Sequence, residues 1–102
     1  MKIREMISKG EPTVSFEIFP PKSSYSLETV FDTLGELKDL HPDFISVTYG
    51  AGGTAQSNTV EIASRIKKDF GIESIAHLTG CTSTKEGMKR TLASIKDSGI
   101  EN

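Results

Sequence analysis

The sequence has few cysteines and histidines, little net charge and no long apolar run, and each of these absences excludes a class of protein. It contains one cysteine, Cys81, and two histidines, which excludes an internal disulfide framework and leaves too few ligands for a structural zinc site. Its formal net charge of -2 offers no basic field to nucleic acid or acidic lipid. No apolar run approaches the length of a membrane span, and the charged start "MKIREMISKGEP" lacks the apolar core of a secretory signal. We therefore expect a cytoplasmic protein without nucleic-acid or membrane partners.

Three apolar segments, each followed by a helical pattern, define the organisation of the chain. Residues 14–19, 44–48 and 72–77 have the composition of strands. The helical stripes that follow are carried by Leu27, Val30, Phe31, Leu34, Leu37 and Leu40, by Val60, Ala63, Ile66 and Phe70, and by Met88, Leu92 and Ile95. An order of βαβαβα with a repeat of about thirty residues is typical of βαβ units, whose strands are parallel. The predicted fold class is α/β with a parallel sheet.

Capping signals predict where the three helices begin and end. Ser26 or a nearby serine is the expected N-cap of the first helix. Asn58 and Ser83, each with a glutamate three residues later, have the capping-box pattern and are the expected N-caps of the second and third helices. Gly71 and Gly99 are the expected stops.

The last three residues, 100–102, have the pattern of a fourth strand at its start. Three βα units cannot close a barrel of eight, which takes about 250 residues. The sequence therefore predicts that residues 1–102 are the N-terminal part of a larger protein and an incomplete domain.

Polar side chains stand near the carboxyl ends of all three predicted strands, where parallel α/β proteins place functional groups. The first strand carries Glu17 just before a Pro-Pro break, the second ends at Thr48 and Tyr49, and the third ends at His77. Apolar neighbours would favour a protonated Glu17 and make it a candidate general acid. A solvent-facing strand residue or a structural ion pair explains Glu17 equally well. His77 is either a ligand contact or a histidine satisfied within the protein.

The glycine-rich segment "YGAGG" follows the second strand. It would let the backbone approach a ligand closely, and it leads into a helix N-terminus that favours an anion. It matches neither the dinucleotide fingerprint nor the Walker motif. A strand-to-helix turn without any ligand fits this segment equally well.

Three motifs, "SFEIFPPK", "ISVTYGAGG" and "AHLTGCT", together resemble the 5,10-methylenetetrahydrofolate reductase family in composition, order and spacing. The resemblance extends from about Val14 to the end of the chain. It implies a (βα)8 TIM barrel, here truncated after the third βα unit, with FAD at its C-terminal face. It further implies that NADH or NADPH reduces the flavin, which then reduces methylenetetrahydrofolate to 5-methyltetrahydrofolate, the methyl donor for methionine synthesis.

The same resemblance implies roles for single residues. Glu17 corresponds to the general acid that helps to open the imidazolidine ring of the folate. Thr48, Tyr49, Ala51 and His77 correspond to residues that contact FAD, and no metal is implied.

Two departures from the family pattern affect the expected activity. The family commonly has cysteine directly after "HLT", whereas Gly80 stands there in this chain and Cys81 follows. The next family motif, Arg-Gly-Asp at the end of the fourth strand, does not occur within residues 1–102. We therefore expect the 102-residue chain alone to be inactive.

Two other functions are compatible with the residues. One is a barrel enzyme that acts on a pterin or a phosphorylated substrate. The other is an assembly module that buries its open sheet edge against another chain. Because such an edge invites pairing, we expect a homo-oligomer.

Overall fold

The computed structural model describes residues 1–22, 26–49, 56–81 and 83–102. The helices in these ranges are α1 (Ile3–Ile7), α2 (Leu27–Lys38), α3 (Gln56–Phe70) and α4 (Lys85–Asp97). The strands are β1 (Ser15–Ile18), β2 (Phe44–Val47) and β3 (Glu73–Ala76), in one sheet of order β1-β2-β3 with both pairs parallel. The predicted βαβαβα order is confirmed, whereas the short helix α1 was not predicted.

The two faces of the sheet differ in character. Glu17, Ser46 and Ile75 are partners in the strand register, so their side chains share one face of the sheet. Side chains alternate along a strand, so Ile45 and Val47, on either side of Ser46, lie on the opposite face. That opposite face packs against α2 and α3. The buried core comprises Leu34, Ile45, Val47, Ile62, Ala63, Ile66, Ile72 and Ile100.

The carboxyl-terminal residues lie beside β3. The backbone N–H of Ala76 donates to the carbonyl oxygen of Asn102 at 3.1 Å, and Ile100 is buried in the core. Residues 100–102 are not assigned to a strand, so their role as the start of a further strand stays a prediction.

The helix boundaries confirm some of the capping predictions and correct others. Ser26 has the extended conformation of an N-cap, as predicted, although its side chain makes no capping bond. Helix α3 begins at Gln56, so Asn58 lies inside its first turn and the prediction that Asn58 is the N-cap is wrong. Gly71 and Gly99 follow their helices with φ of +67° and +78°, the left-handed backbone for which glycine is favoured at a helix stop.

The N-cap of α4 is Thr84, not the predicted Ser83. The Thr84 hydroxyl accepts a hydrogen bond from the N–H of Gly87 at 3.0 Å. The Ser83 hydroxyl instead donates to the carbonyl oxygen of Thr79 at 3.3 Å. Adjacent hydroxyls fit the N-cap position equally well in sequence, and the bond from Gly87 assigns it to Thr84.

Thr84→Ala is therefore expected to lower the free energy of unfolding by about 1 kcal/mol, the usual cost of losing a cap. Ser83→Ala is the matched control and should cost less, because its hydroxyl does not cap the helix. Urea unfolding followed by far-ultraviolet circular dichroism measures both. An equal or larger loss in Ser83→Ala would assign the cap to Ser83 after all.

A charge cluster joins the two ends of the chain to the start of β3. The Met1 amino group lies 2.8 Å from Oε2 of Glu73 and 3.2 Å from Oε1 of Glu101. The Lys67 ammonium lies 3.1 Å from Oε1 of Glu73 and 2.7 Å from Oε1 of Glu101. The Asn102 side chain accepts from the N–H of Ile3 and donates to the carbonyl of Met1. Two cations thus bridge two carboxylates near the amino-terminal end of β3, whereas His77 follows its carboxyl-terminal end.

The carboxylates of this cluster titrate below the ordinary glutamate range. Burial alone would raise the pKa of Glu73, but hydrogen bonds from the Met1 amino group and Lys67 outweigh burial and leave that pKa lowered. The hydrogen bond from Lys67, followed by the one from Met1, lowers the pKa of Glu101 from 4.5 to about 2. The hydrogen bond to Glu101 raises the pKa of Lys67.

These shifts predict a loss of stability in acid. A carboxyl whose pKa is lower in the folded state stabilises the protein fully above its unfolded pKa and loses that contribution as pH falls through its folded pKa. For Glu101 this window runs from 4.5 down to about 2. The urea midpoint of unfolding should fall as the pH falls through this window, and it should fall less steeply in Glu101→Gln. The control is Glu36→Gln, which removes an exposed carboxyl of α2. Parallel curves for the two variants would contradict the assignment.

Candidate active site

Glu17 lies on the face of the sheet that α2 and α3 do not cover. The burial of β1 alternates, with Phe16 and Ile18 partly buried against the core and Ser15 and Glu17 exposed. The Glu17 side chain is 50% exposed, whereas the sequence suggested an apolar surrounding. The difference arises because side chains alternate along a strand, so the apolar neighbours Phe16 and Ile18 lie on the helix-covered face. Glu17 is therefore available to a ligand on the open face.

Ser46 is the closest partner of the Glu17 carboxylate. It stands directly beside Glu17 in the register of β1 and β2, and its hydroxyl donates to Oε2 of Glu17 at 3.0 Å. Ser46 is only 8% exposed. It was not among the residues that the sequence pattern indicated. The signal that could have identified it is a single polar residue inside the apolar strand "FISV".

Thr48 and His77 stand one residue beyond their strands at the same edge of the sheet. The N–H of Thr48 donates to the carbonyl of Ile18 and the N–H of His77 to the carbonyl of Val47, each at 3.0 Å. These bonds continue the parallel pairing past the strand ends and fix both residues relative to Glu17. Nε2 of His77 lies 3.7 Å from Oε2 of Glu17, which is longer than a hydrogen bond.

Tyr49 carries a polar atom that no described residue satisfies. Its hydroxyl is buried and has no hydrogen-bond partner in the ranges that the structure describes. On the preceding residue, the Thr48 carbonyl accepts a hydrogen bond from the Thr59 hydroxyl at 3.0 Å, which ties the first turn of α3 to the end of β2. Ala51, the remaining predicted FAD contact, and the glycines beside it lie outside the described residues.

A cleft lies next to strand β1, and Glu17 contributes to its wall. It has a volume of about 320 Å³ and lies between the end of β1 and helix α2. Its lining consists of Glu17, Ile18, Phe19, Thr29, Val30 and Thr33. Thr29, Val30 and Thr33 belong to α2, which packs on the opposite face of the sheet, and neither Thr48 nor His77 lines this cleft. Of the candidate residues, the cleft therefore includes Glu17 alone.

In the described ranges, no group of three or more His, Cys, Asp or Glu side chains could hold a metal ion. Among the helices of the described residues, none combines the length and apolarity that crossing a membrane requires. The chemistry available at this edge is that of a carboxyl group, an imidazole and hydroxyls.

Comparison with known proteins gives one consistent family. The family model described as methylenetetrahydrofolate reductase matches residues 2–102. Methylenetetrahydrofolate reductase (NADH) 1 of Arabidopsis thaliana is 36% identical over 101 residues, which are 99% of this chain and 17% of that protein. The 5,10-methylenetetrahydrofolate reductase of Escherichia coli strain K12 is 34% identical over 94 residues, 92% of this chain and 32% of that protein. The corresponding protein of Buchnera aphidicola is 40% identical over 88 residues, 86% of this chain and 30% of that protein. The chain thus spans between about a sixth and a third of the length of these relatives.

Proposed function

Because this chain belongs to the methylenetetrahydrofolate reductase family, we propose that it forms the first three βα units of a flavin-dependent TIM barrel. The complete barrel reduces 5,10-methylenetetrahydrofolate to 5-methyltetrahydrofolate in the cytoplasm, with NADH or NADPH as the reductant. The observation that carries this proposal is the position of Glu17, a half-exposed carboxyl at the edge of the sheet where Thr48 and His77 also stand.

Glu17 is the proposed general acid for opening the folate ring. Its carboxyl proton moves to the departing ring nitrogen, the bond between that nitrogen and the one-carbon unit breaks, and the electron pair of the bond stays on nitrogen. The one-carbon unit becomes an iminium carbon on the other nitrogen and can accept a hydride. General acid catalysis of this kind requires the acid to lie within hydrogen-bond reach of the departing atom.

Thr48, Tyr49, Ala51 and His77 are the proposed FAD contacts. The Tyr49 hydroxyl fits this role because it is buried and unsatisfied among the described residues, and a buried polar atom without a partner is costly unless a ligand completes it. When bound, FAD supplies the hydride that reduces the one-carbon unit. Backbone hydrogen bonds to the neighbouring strands hold Thr48 and His77 at the carboxyl ends of β2 and β3, which supports their proposed role as FAD contacts.

Two half-reactions of the complete barrel test this function. NADH or NADPH should bleach the flavin absorbance of the purified protein, and methylenetetrahydrofolate should restore it with formation of 5-methyltetrahydrofolate. A barrel that binds no flavin, or a reduced flavin that methylenetetrahydrofolate leaves unchanged, would contradict the proposal.

The 102-residue chain alone is expected to bind FAD weakly and to show no turnover. It offers only three strand ends to the cofactor, and its strand β1 has a neighbour on one side only within the described sheet. Exposed apolar side chains flank that strand, Val14 at 54% and Phe19 at 71%, and they favour self-association with a second copy. Titration of the chain with FAD, followed by flavin fluorescence and by light scattering, measures both properties. A monomer with stoichiometric FAD would overturn this expectation.

A further inference from the structure

Ser46 contacts the carboxyl group of the proposed acid directly. The hydroxyl donates to Oε2 of Glu17, the atom that His77 also approaches. In the part of the chain that the structure describes, Oε1 of Glu17 makes no hydrogen bond. Among the described residues, the two carboxyl oxygens therefore differ, since the protein engages Oε2 and not Oε1.

Burial alone does not explain this hydrogen bond. Ser74, on the neighbouring strand and the opposite face, is completely buried, and its hydroxyl has no partner among the described residues. The sheet therefore tolerates a buried serine without a hydrogen bond. Ser46, in contrast, stands in register with the candidate acid and donates to it.

We propose that Ser46 is a positioning residue for Glu17. This inference rests on the proposed function. By donating to Oε2, the Ser46 hydroxyl makes Oε1 the oxygen that carries the transferable proton, and it fixes the orientation of the carboxyl plane. After Oε1 has given its proton to the departing nitrogen, the same hydrogen bond stabilises the carboxylate that remains, because bonds to a charged acceptor are stronger than bonds to a neutral one.

Three serine variants of the complete barrel test the role of Ser46. Ser46→Ala is expected to slow the folate half-reaction about 10-fold, in line with the loss of one hydrogen bond to a charged group. The KM for methylenetetrahydrofolate and the rate of flavin reduction by the nicotinamide should stay unchanged. Ser46→Thr, which keeps the hydroxyl, should restore the rate, and Ser74→Ala is the matched control for removal of a buried strand hydroxyl.

A double-mutant cycle tests whether Ser46 acts through Glu17. In a Glu17→Gln background, Ser46→Ala should have no further effect on the folate half-reaction, because the acid that it positions is gone. A wild-type rate in Ser46→Ala, an equal slowing of both half-reactions, or a full additional loss in the double variant would overturn the inference. If Glu17→Gln itself retained the wild-type folate rate, the proposed role of Glu17 would fail first, so the two failures are distinguishable.

Discussion

Replacing Glu17 by glutamine in the complete barrel should lower the rate of the folate half-reaction by about 10²- to 10⁴-fold, the usual contribution of a general acid. Glutamine has nearly the same shape, and its carbonyl oxygen can still accept the hydrogen bond from Ser46 that the carboxylate accepts at 3.0 Å. The amide has no acidic proton for the departing nitrogen. Hydride transfer from the nicotinamide to the flavin needs no such proton, so that half-reaction should keep its rate.

Stopped-flow absorbance at the flavin band separates the two half-reactions of Glu17→Gln. Glu36→Gln serves as the control because it removes an exposed carboxyl of helix α2 that lies away from the site. Equal losses in both half-reactions would show that Glu17 maintains the structure of the site. A wild-type rate in both would remove Glu17 from the chemistry.

The strand order and the edge that carries the candidate site could be predicted because local patterns determine them. Each apolar segment and the helical stripe after it occupy one stretch of sequence, and parallel crossovers place the carboxyl ends of successive strands at one edge. That reasoning placed Glu17, Thr48 and His77 together, and the 3.7 Å approach of His77 to Glu17 agrees with it. The cofactor and substrate, in contrast, came from the family resemblance and not from these patterns.

The contacts that could not be predicted join residues far apart in sequence. Ser46 reaches Glu17 across 29 positions, and Lys67 reaches Glu101 across 34. Such pairs depend on strand register and on how a helix lies against the sheet, which neither propensity nor spacing determines. The charge pattern of the run "RIKKDF" is typical of a solvated helix face, whereas Lys67 within it bridges two carboxylates.

Lys67→Met should be the most destabilising change in the charge cluster, lowering the free energy of unfolding by about 2 kcal/mol. The Glu73 side chain is only 7% exposed, so the loss of Lys67 leaves a nearly buried carboxylate without one of its two cations. Removal of one partner from a buried ion pair typically costs about 3–5 kcal/mol. The cost should be smaller here because the Met1 amino group still contacts Glu73 at 2.8 Å.

Urea unfolding of the complete barrel at neutral pH measures this loss, with Lys68→Met as the control. Lys68 is the next residue of α3, is exposed, and has no ion pair within the described ranges. The difference between wild type and Lys67→Met should narrow as the pH falls from 4.5 towards about 2, where Glu101 takes up its proton. A loss no larger than that of Lys68→Met, or one that does not change with pH, would show that the cluster contributes nothing to folding. Residues 100–102 would then be held beside β3 without the charge cluster. The remaining contacts are the hydrogen bond from Ala76 to Asn102 and the burial of Ile100.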